Sequence, residues 1–160
     1  SRKSVTGYVV KIGDSPIIWK SKKQTTVSKS SAEAEYRSLA STMAKLVWII
    51  GLMKEIGVEV TLPVNVYSDS KAAIQIATNP VYHERTKYIE IDCHFIREKI
   101  MQGMISTNYI PTNEQPADLL TKGLCRMQHE LLSSKLGIQN IFRVPNLRGV
   151  LKVSLRDSRS

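Results

Sequence analysis

Three acids stand where apolar elements begin or end: Glu35 in Ser-Ala-Glu-Ala-Glu-Tyr, Asp69 in Tyr-Ser-Asp-Ser-Lys, and Asp118 in Asn-Glu-Gln-Pro-Ala-Asp-Leu-Leu. Oxygen ligands drawn from distant segments suit a hard divalent cation. Metal-assisted phosphoryl chemistry uses such a set, because the ions bind attacking water, leaving oxygen and phosphate together. Each acid also has a local explanation. Asp69 precedes Ser70-Lys71-Ala72-Ala73, where a helix wants an N-cap. Asp118 follows Pro116-Ala117 at a helix start and Glu35 lies near another, and acids there complement the dipole. The chemistry therefore depends on whether folding gathers the three.

The first motif holds two acids, which helix geometry separates. With Ser30 as N-cap, Glu33 occupies the third helical position, so Ser30-Ser31-Ala32-Glu33 reads as a capping box, and Glu33 faces Arg37 one turn on. Its role is structural. Glu35 lies one turn before Leu39 on the stripe that continues through Met43 and Leu46, which predicts a carboxylate at the core edge instead of in water. A carboxylate there needs a cation or a strong partner to offset its desolvation.

The elements that must position these groups follow from periodicity. Ser4 to Ile12 and Pro16 to Lys22 are rich in β-branched and aromatic residues around Gly13-Asp14-Ser15-Pro16, a β-hairpin. From Ser28–Ser31 to Gly57 apolar residues recur at helical spacing, a long amphipathic helix. Val64–Tyr67 predicts a strand, Ala72–Ile76 a short helix stopped by Asn79-Pro80, Lys87–Met101 a helix ended by Gly103, and Ile105–Ile110 a strand. Pro111–Pro116 reads as a loop, and from Asp118 the chain is helical in pieces to Leu136-Gly137. The plan is α/β, a mixed sheet flanked by helices. Residues 1–136 form one domain, and 137–160, basic and without caps or a clear apolar face, form a C-terminal tail.

Composition narrows the partners. A chain of 160 residues with 42% hydrophobic content supports one core and not two. A net charge of +9 favours a polyanion, since Lys and Arg displace counterions condensed on phosphate backbones; solubility alone is the competing explanation. Lys20, Lys22 and Lys23 on the hairpin suit phosphate contact, although lysines there also discourage edge pairing. Cys93 and Cys125 have no zinc-binding spacing, and their scarcity fits a reducing, intracellular compartment. No run approaches the ~20 apolar residues of a membrane span. The chain starts at Ser1 with no Met, as a piece of something longer would.

The ordered combination of Ser-x-Glu-x-Glu-Tyr-x-x-Leu, an apolar strand with Tyr-Ser-Asp-Ser-Lys-x-Ala, and Tyr-Ile-Pro-Thr-Asn-Glu-Gln-Pro-Ala-Asp-Leu-Leu-Thr-Lys resembles the ribonuclease H domain of copia-type retrotransposon Pol polyproteins. The likeness extends to Ser1–Val9, Pro16–Gln24, Arg85–Ile91 and His94–Glu98, and covers nearly everything from Ser1 to about Gly149. It implies a ribonuclease H-like fold and a magnesium-dependent endonuclease that hydrolyses RNA paired with DNA, with a reverse transcriptase domain upstream in the same polyprotein. Glu35, Asp69 and Asp118 match three of the family's four metal-binding acids. The resemblance gives Asp69 the central place between two Mg2+ ions, Glu35 the metal near the leaving group, and Asp118 the metal that activates water. Ser70 and Lys71, beside Asp69, join Lys20, Lys22 and Lys23 as expected nucleic-acid contacts.

The sequence departs from the family at two places. The family's first acid lies on an opening, central strand just before the Ser-Arg-Lys-Ser stretch, and residues 1–160 contain no counterpart; Asp14 sits in the hairpin turn. A sheet without that strand has a gap lined by unpaired backbone groups. Tyr88 stands where the family shows His. Of the three His residues, His83 and His129 read as surface residues and His94 as packed at a helix edge, none of them catalytic. Two readings follow: a hybrid-cleaving enzyme domain that is inactive as this isolated chain, or a non-catalytic nucleic-acid-binding relic. An integrase or resolvase of similar topology is a third, which the Asn-Glu-Gln-Pro-Ala-Asp segment opposes.

Overall fold

The computed structural model describes residues 3–25, 27–28, 30–79, 90–139 and 142, with the side chains of 90–92 left aside. Tyr88, His83 and nearly all of the basic tail lie outside the described residues.

Strands β1 (Val5–Ile12) and β2 (Ser15–Lys23) form the expected antiparallel hairpin. Gly13 takes φ +58°, the positive value that the first position of a two-residue II′ turn demands. The register shifts between Val10 and Lys11, next to Pro16, which cannot donate a ladder bond and is tolerated at such an irregularity. Helix α1 (Ser31–Glu55) starts where Ser30 Oγ accepts from the Glu33 N–H at 3.1 Å and ends before Gly57 at φ +78°. Its 25 residues span about 37 Å.

Strand β3 (Val64–Ser68) leads to helix α2 (Lys71–Thr78), helix α3 (Glu90–Met101) and strand β4 (Ile105–Tyr109), which pairs parallel with β3. Arg97 on α3 donates to the carbonyls of Ile76 and Asn79, satisfying the end of α2. After a single turn at Thr112–Glu114, a second 3-10 turn, Pro116–Leu120, carries Asp118, and helix α4 (Arg126–Lys135) follows.

The core is one cluster. Tyr36, Leu39, Ala40, Met43, Leu46 and Ile49 of α1 meet Tyr8 and Val10 of β1, Val66 of β3, Ile105 of β4, Ala73 and Ala77 of α2, and Cys93 and Ile96 of α3. The sheet carries the gap expected where an opening strand is missing, and the four strands do not join into one continuous sheet. They form two separate two-stranded sheets, β1–β2 antiparallel and β3–β4 parallel, and no ladder joins β1 to β3 among the described residues. The physical reason is that both lie over α1 with an open groove between them, so neither edge has a partner within reach.

Candidate functional site

The groove between the two sheets has a volume of about 680 Å³. Its walls are β1 and β3, its floor is the Ala34, Ser38, Leu39, Thr42 and Leu46 side of α1, and its end is the turn from Gln115 to Asp118. Glu35, Asp69 and Asp118 all line it, so folding brings three acids from distant segments to one concavity.

Their surroundings differ. Asp69 occupies the bend after β3, and its capping explanation fails: Ser70 is the N-cap, its Oγ accepting from the Ala73 N–H at 3.1 Å. The Asp69 carboxylate is left half-exposed with no hydrogen-bond or ion-pair partner among the described residues. Ser70 is itself buried, with its hydroxyl engaged as the cap. Lys71 stays exposed, its ammonium 4.8 Å from the centre of the Tyr109 ring at the end of β4.

On α1 the structure departs from the core-edge position expected for Glu35. Glu33 is buried and paired with Arg37 at 2.7 Å, whereas Glu35 is exposed. Helix α1 buries two neighbouring stripes, one through Glu33, Tyr36, Ala40 and Met43, the other through Leu39 and Leu46. Glu35 does lie on the second stripe, but that stripe faces the groove, and the groove is open to water.

Asp118 is buried on the 3-10 turn, and Lys122 one turn on holds its Oδ2 at 2.9 Å. The turn is seated against β1 at Gly7, where a Cβ would strike the Thr121 methyl group and sit 3.3 Å from the Ala117 carbonyl oxygen. Sequence periodicity gives no sign of this close approach.

The donors are hard oxygens of the kind Mg2+ takes, yet the acids do not close around a point: no three acidic, His or Cys groups among the described residues stand near enough to hold a metal ion. His94 and His129 are both exposed, His94 more so than a packed helix edge implies. Lys20, Lys22 and Lys23 are exposed on β2, away from the groove lining. Among the described residues no helix is long and apolar enough to cross a membrane.

No family model and no solved structure matches the chain. It is similar to the retrovirus-related Pol polyprotein from transposon RE2 of Arabidopsis thaliana, with 41% identity over 94% of this chain and 10% of the relative. Transposon RE1 of the same plant gives 43% over 86% of this chain and 9% of the relative. Transposon TNT 1-94 of Nicotiana tabacum gives 38% over 88% and 10%. The chain thus spans about a tenth of the length of these relatives. Over most of its own length it is a homologue of retrovirus-related Pol polyproteins from transposons.

Proposed function

We propose that the chain is the ribonuclease H portion of a retrotransposon Pol polyprotein, with a ribonuclease H-like fold, acting on RNA paired with DNA. The observation that carries this reading is the gathering of Glu35, Asp69 and Asp118 along one groove, with the Asp69 carboxylate released from capping by Ser70. Hard oxygen donors fit Mg2+, which supplies water activation and neutralises charge on the phosphate. Among the described residues the three acids do not converge on one point, and Asp118 is engaged by Lys122. What this chain's own residues do is place Asp69 at the carboxyl end of a parallel strand, hold Glu35 on the helix beneath the groove, and keep Asp118 against β1. Lys71 stands beside Asp69 as a cation for a substrate phosphate, and Lys20, Lys22 and Lys23 supply further phosphate contacts.

The groove's open edges give this reading its condition. An extended segment carrying an acid, laid between β1 and β3, would pair both edges and add a fourth carboxylate near Asp69. Residues 1–160 alone then show no magnesium-dependent cleavage of an RNA–DNA hybrid, and extension upstream of Ser1 through an acid-bearing apolar strand restores it. Robust cleavage by residues 1–160, abolished by Asp69→Asn, refutes the condition. An extended, folded protein that binds hybrid but never cleaves it refutes the enzyme and leaves the nucleic-acid-binding relic.

A further inference from the structure

The outer strand of the hairpin carries an exposed tryptophan to which hydrolysis gives no role. Trp19 is 61% exposed in the middle of β2, opposite Val9, and the exposed side chains of Lys20, Ser21, Lys22 and Lys23 follow it to the strand's end. Lys3 is exposed too, next to Ser4, whose carbonyl accepts from the Gln24 N–H and extends the pairing past Val5 and Lys23. None of these four lysines has an ion-pair partner among the described residues. The acid of the hairpin, Asp14, lies at the opposite end, in the turn. Side chains alternate along a strand, so Trp19, Ser21 and Lys23 share one face while Lys20 and Lys22 emerge on the other. Lysines from both faces therefore flank the free edge of β2, within about 10 Å of strand from Lys20 to Lys23.

An indole of this exposure costs free energy in water, and the unpaired cations around it repel one another, so the patch calls for a partner that is both flat and anionic. A single-stranded nucleic acid is both. Its bases offer open aromatic faces for stacking and its phosphates pair with the lysines, whereas in a duplex the bases are already stacked on their neighbours. We infer that the Trp19 edge of β2 is a single-strand binding platform, with Trp19 stacking on an unpaired base and Lys3, Lys20, Lys22 and Lys23 holding the adjoining backbone. The platform builds on the phosphate role given to these lysines above and is independent of hydrolysis. It would hold the unpaired strand leaving a hybrid.

The test uses the 160-residue chain carrying Trp48→Phe, which leaves Trp19 as the sole tryptophan. Fluorescence and anisotropy are followed in EDTA while a single-stranded dT oligonucleotide of about 12 nucleotides is added. Saturable quenching of Trp19 is expected, with log K falling against log salt at a slope of about −2 to −3 for three or four neutralised phosphates. Trp19→Ala weakens binding about tenfold or more and Trp19→Phe, which keeps a ring, by much less. Replacing Lys20, Lys22 and Lys23 by Gln flattens the slope by about 2. Inorganic polyphosphate, which has charge but no bases, binds without quenching. The inference is overturned if polyphosphate quenches Trp19 as dT does, if a blunt RNA–DNA duplex quenches Trp19 as fully as dT does, or if Trp19→Ala leaves affinity for dT unchanged. A chain that binds dT as described while its extended form never cleaves hybrid sustains the platform and refutes the nuclease; the reverse pattern does the opposite.

Discussion

Gly7→Ala probes the contact that seats Asp118. A methyl group at position 7 meets the Thr121 Cγ2 at less than contact distance and the Ala117 carbonyl oxygen at 3.3 Å, so the 3-10 turn Pro116–Leu120 must lift from β1 or Thr121 must leave its rotamer. Overpacking of this kind costs about 1–3 kcal/mol. Replacing Gly also lowers the entropy of the unfolded chain, a stabilising effect of about 0.4–1 kcal/mol. The net expectation is a loss of about 1–2 kcal/mol, which in a domain this size lowers Tm by several degrees at about 2–4 °C per kcal/mol. Thr121→Ser deletes the offending methyl group while keeping the hydroxyl. In the double mutant the two changes are then non-additive, with about 1 kcal/mol recovered. Urea unfolding followed by circular dichroism on the four proteins of the cycle gives both numbers. A Gly7→Ala protein as stable as the parent, or a cycle that sums to zero, refutes the close seating of the turn on β1 and with it the account of how Asp118 reaches the groove.

Four other outcomes follow from the packing. Met43, fully buried where α1 meets the rest of the core, should cost about 2–5 kcal/mol on replacement by Ala, read by the same urea titration. Ser70→Ala removes the α2 cap and should cost about 1 kcal/mol, while Ser70→Asp or Ser70→Asn largely preserves stability; equal losses in all three would mean that the hydroxyl does something other than cap. Glu33→Ala should destabilise by about 1–2 kcal/mol through its buried pairing with Arg37, measured by thermal melts. Glu35→Gln should change stability by less than about 0.5 kcal/mol, being exposed, yet abolish hybrid cleavage in the upstream-extended protein.

Most elements were legible because each is bounded by residues with a local mechanism. Ser30 caps α1, Gly57 and Gly103 close helices with positive φ, and Gly13 makes the hairpin turn. The site was legible as a set of residues but not as a geometry. Periodicity placed Glu35 on an apolar stripe without showing that nothing covers that stripe, because a hydrophobic pattern records what a helix could bury and not what lies opposite. The pairing of Glu33 with Arg37 was legible from their spacing, but not that the Glu33 carboxylate is buried, which depends on what packs over it. At Asp69 two capping residues stood side by side, and only the backbone shows that Ser70 takes the role. The break between β1 and β3 was legible only through the missing opening strand, whereas the seating of Gly7 on Thr121 joins segments far apart in the chain, which local propensity does not encode.

Among the described residues each strand is bonded to a single neighbour, so the four strands present four open edges, as many as two separate hairpins would. A continuous sheet of any length has two. The outermost edge, on β2, is crowded with lysines that resist joining another chain, but the edges on β1 and β3 face each other inside the groove and carry no such guard apart from Lys11, whose ammonium is tied to the Lys135 carbonyl. Any extended peptide of suitable pattern, including a strand from a second molecule, can be templated there. Under the proposed function solubility and catalysis become a single property of the groove: a strand inserted there would both add to the acidic site and remove the polymerisation hazard, and residues 1–160 should aggregate with increasing concentration faster than the upstream-extended protein.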